Sequence, residues 1–230
     1  VLDVCPPLPA PDQVIRQAVD RTSAWAERGR RHFLERRAHV DGQRAQFGIV
    51  QGGLDIELRQ RSAETLTGIG FDGYAIGGLS VGETRPQMLE PLAAATSLLP
   101  VDRPRYFMGL GDPAGLVEAV ANGVDMFDCV WPTRMARHGT ALTRQGRLNV
   151  GAGRYSDSDE PLDPDFPESP ASRWSRGYIR HLLSVGEPAA ARILTLHNLA
   201  WLFDLMARVR ASIEAGTFEQ MRRDTLEVWG

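Results

Sequence analysis

The sequence predicts an α/β fold of the (β/α)8 TIM-barrel type, incomplete at its N-terminus and followed by a C-terminal helical subdomain. Short apolar runs alternate with helix-like stretches along the first half of the chain, which is typical of a parallel sheet covered on both faces. Glycine or polar residues also stand at or near the end of each run, namely Gln51 and Gly52, Gly77 and Gly78, Gly109 to Gly111, and Asp128 and Cys129. Because such residues follow every predicted strand, the pattern favours a barrel with its site at the strand ends over an open sheet with one ligand crevice.

Four strand-like runs and three helix-like stretches make up the predicted βα units. The runs are Gln46–Gly52, Tyr74–Leu79, Arg105–Gly111 and Asp125–Val130, and the helix-like stretches are Leu54–Gly68, Thr84–Leu99 and Pro113–Asn122. Val1–Cys5 is interpreted as the end of a fifth strand. A complete barrel has eight strands and typically about 250 residues. We therefore expect the 230-residue chain to lack sequence upstream of Val1.

The other segments are predicted to be helical or irregular. Asp12 to about Ala38 has the pattern of an amphipathic helix, whose arginine-rich end either is solvated or faces RNA. A turn at Thr143–Gly146 joins two short strand-like pieces, Asp157–Pro170 is a proline-rich exposed loop, and Ser172–Trp229 is helical. We expect a barrel part with the active site at residues 1–138 and a second part with the C-terminal helices at residues 139–230.

The composition excludes several classes of protein. No run of about 18 apolar residues exists, so no membrane span is expected. Cys5 and Cys129 are too few for a disulfide framework or a four-thiolate metal site. The formal charge is −3 and all 26 basic residues are arginine, so a contact with nucleic acid needs a local basic patch. Two unpaired thiols and no export signal predict a cytoplasmic protein.

Asp128 is the first candidate for chemistry. It follows the apolar residues Met126 and Phe127 at the end of a strand-like run, where a carboxylate is expected to be partly desolvated. The residue could act as a nucleophile, or it could accept hydrogen bonds from backbone N–H groups in a structural role. Its position alone leaves both interpretations open.

Polar and glycine residues at three other strand ends could form a pocket for a planar base. Asp3 could accept paired N–H groups of a heterocycle, or it could brace a loop. Gln51 offers both a hydrogen-bond donor and an acceptor, and the pair Gly77 and Gly78 would let a flat ligand approach the backbone closely. Since all these residues end strands, they are expected at one edge of the sheet.

A short basic cluster at 133–139 directly follows the strand of Asp128. Its two arginines, Arg134 and Arg137, have planar guanidinium groups that match phosphate oxygens in bidentate geometry. The cluster is either a solvated loop or a contact with a nucleic-acid backbone. Its closeness to Asp128 in sequence favours the second interpretation.

Together these motifs resemble the tRNA-guanine transglycosylase family, also called queuine tRNA-ribosyltransferase. The matching segments are VLDVCPP at 1–7, FGIVQGG at 47–53, GYAIGGLSVGE at 73–83, RYFMGLG at 105–111, DMFDCVWPTR at 125–134 and LTLHNL at 194–199. They occur in the family's order and cover nearly the whole chain. The resemblance implies a modified (β/α)8 barrel, of which this chain is the C-terminal portion.

The resemblance also implies an activity, the exchange of the wobble guanine in a tRNA anticodon loop for a 7-deazaguanine base. Asp128 matches the nucleophile that attacks ribose C1′ and forms a covalent ribosyl-enzyme. The positions that match base-binding residues are Asp3, Gln51, Gly77, Gly78, Leu79 and Met108. Those that match the two RNA-contacting segments are Gly109, Leu110, Gly111, Asp112, Pro113, Ala114 and Gly115, and then Thr133, Arg134, Met135, Ala136 and Arg137.

The chain departs from the family pattern in two respects. The family's general acid/base is an aspartate on a segment upstream of Val1. Bacterial members hold a structural zinc with three cysteines and a histidine, but the aligned positions here are Phe166, Glu168 and Ala171, and only His197 is retained. Because a closed zinc site needs four ligands, we predict a degenerate zinc-type subdomain without metal, in which His197 packs or caps near its neighbour in sequence.

The expected function is therefore that of a pentosyltransferase of the queuosine pathway. Its expected partners are the tRNA anticodon loop and a 7-deazaguanine base, without a membrane and with a second copy of the chain in a homodimer. An alternative is a non-catalytic RNA-binding or partner-subunit homologue, although retention of Asp128 favours an enzyme. A transglycosylase that acts on DNA or on another deazaguanine is a third interpretation with the same nucleophile.

Overall fold

The computed structural model describes residues 1–37 and 44–230, which form two compact units. The first unit comprises residues 1–110 and 118–128, and the second comprises residues 111–117 and 129–230. The predicted boundary at residue 138, between a barrel part with the active site and a second part with the C-terminal helices, stays a prediction. The predicted end of the first helix at about Ala38 lies outside the described residues.

A parallel sheet organises the first unit, with its four strands in the order β1-β2-β3-β4. The strands are β1 (Phe47–Val50), β2 (Gly73–Ile76), β3 (Arg105–Phe107) and β4 (Met126–Phe127). The intervening helices are α2 (Ile56–Ile69), α3 (Arg85–Ser97) and α4 (Pro113–Ala121). The predicted alternation of strands and helices and the α/β class are thus confirmed.

The register of the sheet brings the four strand ends together. Val50 pairs with Ile76, Ile76 with Phe107, and Phe107 with Phe127. The residues that follow these four in the chain are Gln51, Gly77, Met108 and Asp128. They leave the sheet at the same edge, as the sequence pattern predicted, because parallel strands all end on one side.

The long first helix, α1 (Asp12–Arg37), packs its buried stripe against the rest of the first unit. Ile15 and Val19 cluster with Leu58 of α2, whereas the adjacent apolar residue Val14 is exposed. The arginines at the end of α1 are not all free for RNA, since Arg30 and Arg37 both bind the Asp72 carboxylate.

The predicted fifth strand at Val1–Cys5 is wrong for this structure, in which the segment has no regular secondary structure. The Val1 amino group donates a hydrogen bond to the Phe47 carbonyl at 2.9 Å. The Val4 amide donates to the Thr22 hydroxyl at 3.0 Å instead of to a neighbouring strand. Isolated hydrogen bonds, rather than the hydrogen-bond ladder of a strand pair, therefore hold this segment.

The second unit consists mainly of helices with one hairpin. Its elements are α5 (Trp131–Arg137), β5 (Thr140–Thr143), β6 (Gly146–Asn149), α6 (Arg176–Ser184), α7 (Pro188–Glu214) and α8 (Phe218–Trp229), with a 3₁₀ turn at Gly153–Tyr155. The predicted turn between Thr143 and Gly146 is confirmed, since these residues pair across the antiparallel hairpin. The solvated loop considered for the basic cluster is instead mostly helix α5, begun by proline in its first turn.

The proline-rich segment Asp157–Pro170 is only partly the exposed loop that the sequence predicts. Leu162, Phe166 and Ser169 are each less than a tenth exposed. Leu162 belongs to the core of the second unit, together with residues of α5, α6 and α7. The segment therefore buries single side chains along its length, because the free energy gained by burying its apolar side chains exceeds the cost of burying its polar ones.

Within the described ranges, the helices are too short or too polar to cross a membrane. Neither Cys5 nor Cys129 forms a disulfide bond.

Candidate active site

Asp128 is held by two donors on the same carboxylate oxygen. Oδ1 accepts a 2.6 Å hydrogen bond from the Tyr106 hydroxyl and a 3.0 Å bond from the Gly109 amide. Oδ2 has no hydrogen-bond partner in the part of the chain that the structure describes. The side chain is therefore oriented by one oxygen and presents the other.

The expected desolvation of Asp128 is wrong for this structure, because the residue is exposed. It follows the short strand β4 at one end of the described sheet, and Met126 in the same strand is itself 45% exposed. Two hydrogen bonds, rather than burial, define the environment of this carboxylate.

Tyr106 is a site residue that the sequence analysis missed. Burial, followed by the hydrogen bond to Asp128 and its negative charge, raises the pKa of Tyr106 to about 12. The phenol thus stays protonated and donates at neutral pH. The signal that could have revealed it is the period of a strand, because Tyr106 lies two residues before Met108 and therefore on the same face.

Asp3 and Gln51, two of the predicted base-binding residues, contact each other. Gln51 is buried, and its Nε2 donates to Asp3 Oδ2 at 2.7 Å. The Gln51 amide also lies directly against the two glycines, since a Cβ at Gly77 would be 2.7 Å from Gln51 Nε2. Asp3, Gln51, Gly77 and Gly78 thus form one polar cluster, and glycine is required there for space.

The two remaining predicted base contacts differ in exposure. The Leu79 side chain is 1% exposed and belongs to the hydrophobic core, so only its backbone is available to a ligand. Met108 is half-buried and lines an apolar cavity of about 330 Å³. The other lining residues are Val1, Phe47, Ile49, Ala75, Tyr106 and Met126.

The loop that carries Gly78 is held from two sides by residues that the sequence analysis did not single out. Arg59 donates to the carbonyls of Gly77 and Gly78. The Glu83 carboxylate accepts hydrogen bonds from the amides of Ser80 and Val81. Neither residue lies at a strand end, so the pattern that revealed the other site residues could not reveal these two.

The two predicted RNA-contacting segments differ in what they expose. In α5, Arg134 and Arg137 are exposed, and neither side chain has a hydrogen-bond or ion-pair partner among the described residues. Met135 and Thr133 are half-buried, and Ala136 lies in the core of the second unit. In the other segment Leu110, Gly111, Pro113, Ala114 and Gly115 are buried, Gly109 is exposed and Asp112 is half-buried.

Asp112 acts as a cap rather than as a free carboxylate. Its Oδ2 accepts a 2.9 Å hydrogen bond from the Gly115 amide at the start of α4, which is the usual role of aspartate at a helix N-terminus. Side-chain contact with RNA is therefore best supplied by Arg134 and Arg137, whose assignment stays a prediction.

The residues at the family's zinc positions do not fit a metal. His197 is fully buried, its Nδ1 lies 2.7 Å from Ser169 Oγ and its Nε2 lies 2.8 Å from the Leu142 carbonyl oxygen. Phe166 packs edge-on against the His197 ring, and Glu168 is exposed. Across residues 1–37 and 44–230 no cluster of three or more histidine, cysteine or acidic side chains could hold a metal ion.

Asn198, which follows His197 in the chain, has a structural role that the sequence analysis did not predict. Its Oδ1 accepts from the Leu142 amide at 2.9 Å, and its Nδ2 donates to the carbonyls of Pro132 and Thr140 at 3.0 Å. The side chain thereby fixes the start of α5, and with it the helix that presents Arg134.

The family model and the similar proteins that match this chain indicate the same family. The family model described as queuine tRNA-ribosyltransferase matches residues 1–230. A protein of that name from Thermotoga petrophila is 46% identical over 229 residues, which is 100% of this chain and 60% of the relative. One from Halothermothrix orenii is 45% identical over 97% of this chain and 58% of the relative. The chain thus spans about 60% of the length of the relatives that it matches.

Proposed function

Because the chain belongs to the queuine tRNA-ribosyltransferase family, we propose that it carries the nucleophile and the base-binding loops of a tRNA-guanine transglycosylase. The proposed reaction exchanges the wobble guanine of a tRNA for a 7-deazaguanine in the queuosine pathway. The observation that carries the proposal is the Asp128 carboxylate, which is held through Oδ1 and presents Oδ2. Since the substrate is tRNA, we expect the enzyme to act in the cytoplasm.

In the first half of the reaction, Asp128 Oδ2 attacks ribose C1′ while the bond from C1′ to guanine N9 breaks. Guanine leaves with the bonding electrons and is protonated by the general acid that the resemblance implies for the family. In the second half, the incoming base loses its N9 proton and attacks C1′, and the bond from C1′ to Asp128 breaks. Two inversions give overall retention.

Tyr106 and Gly109 have a defined task in this sequence. While Asp128 is esterified, its carboxylate charge is absent, and the charge returns as the ribosyl bond breaks. Donors already placed at Oδ1 stabilise that returning charge without having to reorganise. The arrangement therefore supports the second half of the reaction as well as the orientation of the nucleophile.

The polar cluster beside the glycine loop supports recognition of a guanine-like base. Asp3 Oδ1 can accept N–H groups of the base, while Oδ2 is occupied by Gln51. Carboxylates accept hydrogen bonds only, so this position selects the donor edge of guanine and disfavours a base that presents acceptors. Met108 offers an apolar surface for the ring.

We further propose that the parallel sheet is part of a (β/α)8 barrel. One row of paired residues, Ile49, Ala75, Tyr106 and Met126, lines the apolar cavity. Inward-pointing rows of this kind fill the interior of a barrel. The proposal also includes a homodimer, which the resemblance implies, and a second unit without zinc, which the occupied nitrogens of His197 support.

Base exchange by the full-length protein tests the proposed function. Folded protein is incubated with the cognate tRNA and radiolabelled guanine, and incorporation into RNA is measured for the wild type and for Asp128→Asn. We expect incorporation by the wild type and none by the variant, because an amide cannot form the ribosyl ester. Both proteins should bind tRNA with the same affinity, since the variant keeps its shape.

Asp102→Asn is the matched control, because Asp102 is an exposed carboxylate whose side chain pairs, among the residues described, with Arg103 alone. It should exchange guanine at the wild-type rate. A folded wild type that binds tRNA without incorporating guanine would contradict the proposal and favour the non-catalytic homologue.

A further inference from the structure

Arg59 is a buried arginine whose hydrogen bonds all go to the glycine loops around the proposed base site. Its side chain is 0% exposed. Nε donates to the Gly53 carbonyl at 2.7 Å, and Nη2 donates to the carbonyls of Gly77 and Gly78 at 3.0 Å each. One guanidinium thus joins the loop after β1 to the loop after β2.

These contacts fix the direction in which two backbone amides point. In a trans peptide unit the carbonyl and the N–H group point in opposite directions. Because the carbonyls of Gly77 and Gly78 point at Arg59, the N–H groups of Gly78 and Leu79 point away from it. Neither N–H has an acceptor in residues 1–37 or 44–230, although both residues are buried.

Two buried N–H groups without acceptors raise the free energy of the protein without ligand. A ligand that accepts hydrogen bonds from them would remove this penalty. An unpaired backbone donor away from water is unfavourable, and native structures pair nearly all of them. The same glycines adjoin the Gln51 amide, which contacts Asp3. An acceptor atom of the bound base would satisfy these donors within the polar cluster.

Burying a guanidinium that contacts no carboxylate costs desolvation free energy. Such a residue is therefore expected to have a functional role. Burial lowers the pKa of Arg59 to about 10, although the charges of Glu83 and Cys5 oppose the shift. The side chain is therefore still charged at neutral pH. Its positive charge behind the two peptide units polarises them and strengthens their N–H groups as donors.

We propose that Arg59 is a positioning residue that orients the Gly78 and Leu79 N–H groups toward a carbonyl acceptor of the purine-like base, without touching the base itself. The identity of this ligand rests on the proposed function. A purely structural role would also make Arg59 important for folding, so the test must separate base affinity from stability.

The experiment measures guanine binding without turnover. Full-length wild type, Arg59→Met and Arg59→Lys are compared by equilibrium dialysis with radiolabelled guanine, and the dissociation constant is corrected for the folded fraction. Arg59→Met should weaken guanine binding by about tenfold or more, because the carbonyls lose their partner and the amides their orientation. Arg59→Lys keeps the charge but not the planar fork and should give an intermediate dissociation constant. The affinity for tRNA should not change.

Two substitutions on the same helix serve as controls. Leu66→Ala removes a fully buried core side chain that makes no hydrogen bond, and it should lower Tm while leaving the guanine dissociation constant unchanged. Arg61→Ala removes an exposed arginine that pairs with Asp20 and should change neither quantity. These controls separate loss of stability and loss of charge from loss of orientation.

The outcomes are distinguishable. If the wild type incorporates guanine and both Arg59 variants bind it with the wild-type dissociation constant, the positioning role is wrong and the proposed function stands. If Leu66→Ala weakens guanine binding as much as Arg59→Met does, the effect is one of stability and the positioning role is also wrong. A folded wild type that neither binds nor incorporates guanine would overturn both.

Discussion

The Tyr106 hydroxyl donates a 2.6 Å hydrogen bond to Asp128 Oδ1. This bond joins adjacent strands, since Tyr106 lies in β3 and Asp128 directly follows β4. It leaves Oδ2 of the proposed nucleophile without a partner in the described part of the chain. Because the pKa of Tyr106 is raised to about 12, the hydroxyl keeps at neutral pH the proton that it donates.

Tyr106→Phe should lower the rate at which the covalent ribosyl-enzyme breaks down by about tenfold, since a hydrogen bond to the returning carboxylate charge contributes about 1.5–3 kcal/mol and the Gly109 amide still holds Oδ1. The affinity for tRNA and the KM for the base should not change. Single-turnover kinetics with labelled tRNA measure the rate.

Tyr155→Phe is the control, because Tyr155 is buried and its hydroxyl makes no hydrogen bond among the residues described. It should leave the rate unchanged. A Tyr106→Phe enzyme with the wild-type single-turnover rate would show that the Gly109 amide alone stabilises the returning charge.

The strand-end residues could be predicted from sequence because their placement follows from topology. Once the runs are read as parallel strands, Gln51, Gly77 and Asp128 must leave the sheet at one edge, and the register confirms it. The role of Arg59 does not follow in this way. Arg59 and Arg61 stand two positions apart in the same polar stretch of α2, yet one is 0% exposed and the other is exposed.

The difference between these arginines depends on tertiary packing, which brings two glycine loops beside one helix face. The same limitation applies to Asp157–Pro170, where proline and acidic residues predict an exposed loop although Leu162 and Phe166 are buried. In both cases composition indicates the average environment of a segment. The environment of a single side chain depends on what packs against it.

Arg134→Ala and Arg137→Ala should each weaken tRNA binding and reduce the slope of log affinity against log salt concentration by about one. Both side chains are exposed on α5 without a described partner, so each is free to neutralise a phosphate. Binding is measured by fluorescence anisotropy at several salt concentrations.

Arg192→Ala is the matched control, since Arg192 is an exposed arginine of α7 that also has no described partner. Its removal should leave the salt slope at the wild-type value. An unchanged slope in both α5 variants would contradict a phosphate contact by this helix.

Asp72→Asn should lower the free energy of unfolding at neutral pH by about 2 kcal/mol. Burial raises the pKa of Asp72, but hydrogen bonds from Arg30, the Gln46 amide and Arg37 outweigh it and hold the pKa at about 2. A lowered carboxylate pKa stabilises the fold above the unfolded-state value of 3.8, and this stabilisation is lost as the pH falls toward 2.

Urea denaturation of wild type and variant at several pH values measures this contribution. The difference between the two proteins should be constant near neutral pH and should shrink as the pH falls from about 4 to about 2. Asp102→Asn, which removes an exposed carboxylate, should show no such dependence. A constant difference across the acid range would contradict the assignment to Asp72.

The second unit should hold no zinc, because its histidine is already satisfied. Since the Leu142 carbonyl can only accept, His197 Nε2 carries the proton, and Nδ1 accepts from the Ser169 hydroxyl. Protein purified from zinc-supplemented medium should contain no stoichiometric zinc, and EDTA should leave Tm unchanged. Stoichiometric metal, or a lower Tm in EDTA, would contradict this prediction.

Ser169→Ala should lower the free energy of unfolding by about 1–3 kcal/mol, because it leaves a buried ring nitrogen without a partner. Ser172→Ala is the control, since Ser172 is less buried and its hydroxyl makes no described hydrogen bond.

Burial lowers the pKa of His197, although the hydrogen bond to Leu142 and the charge of Asp163 oppose this shift. The unfolded chain therefore takes up this proton first, so wild-type stability should fall as the pH drops below about 6.5, and His197→Phe should weaken that dependence.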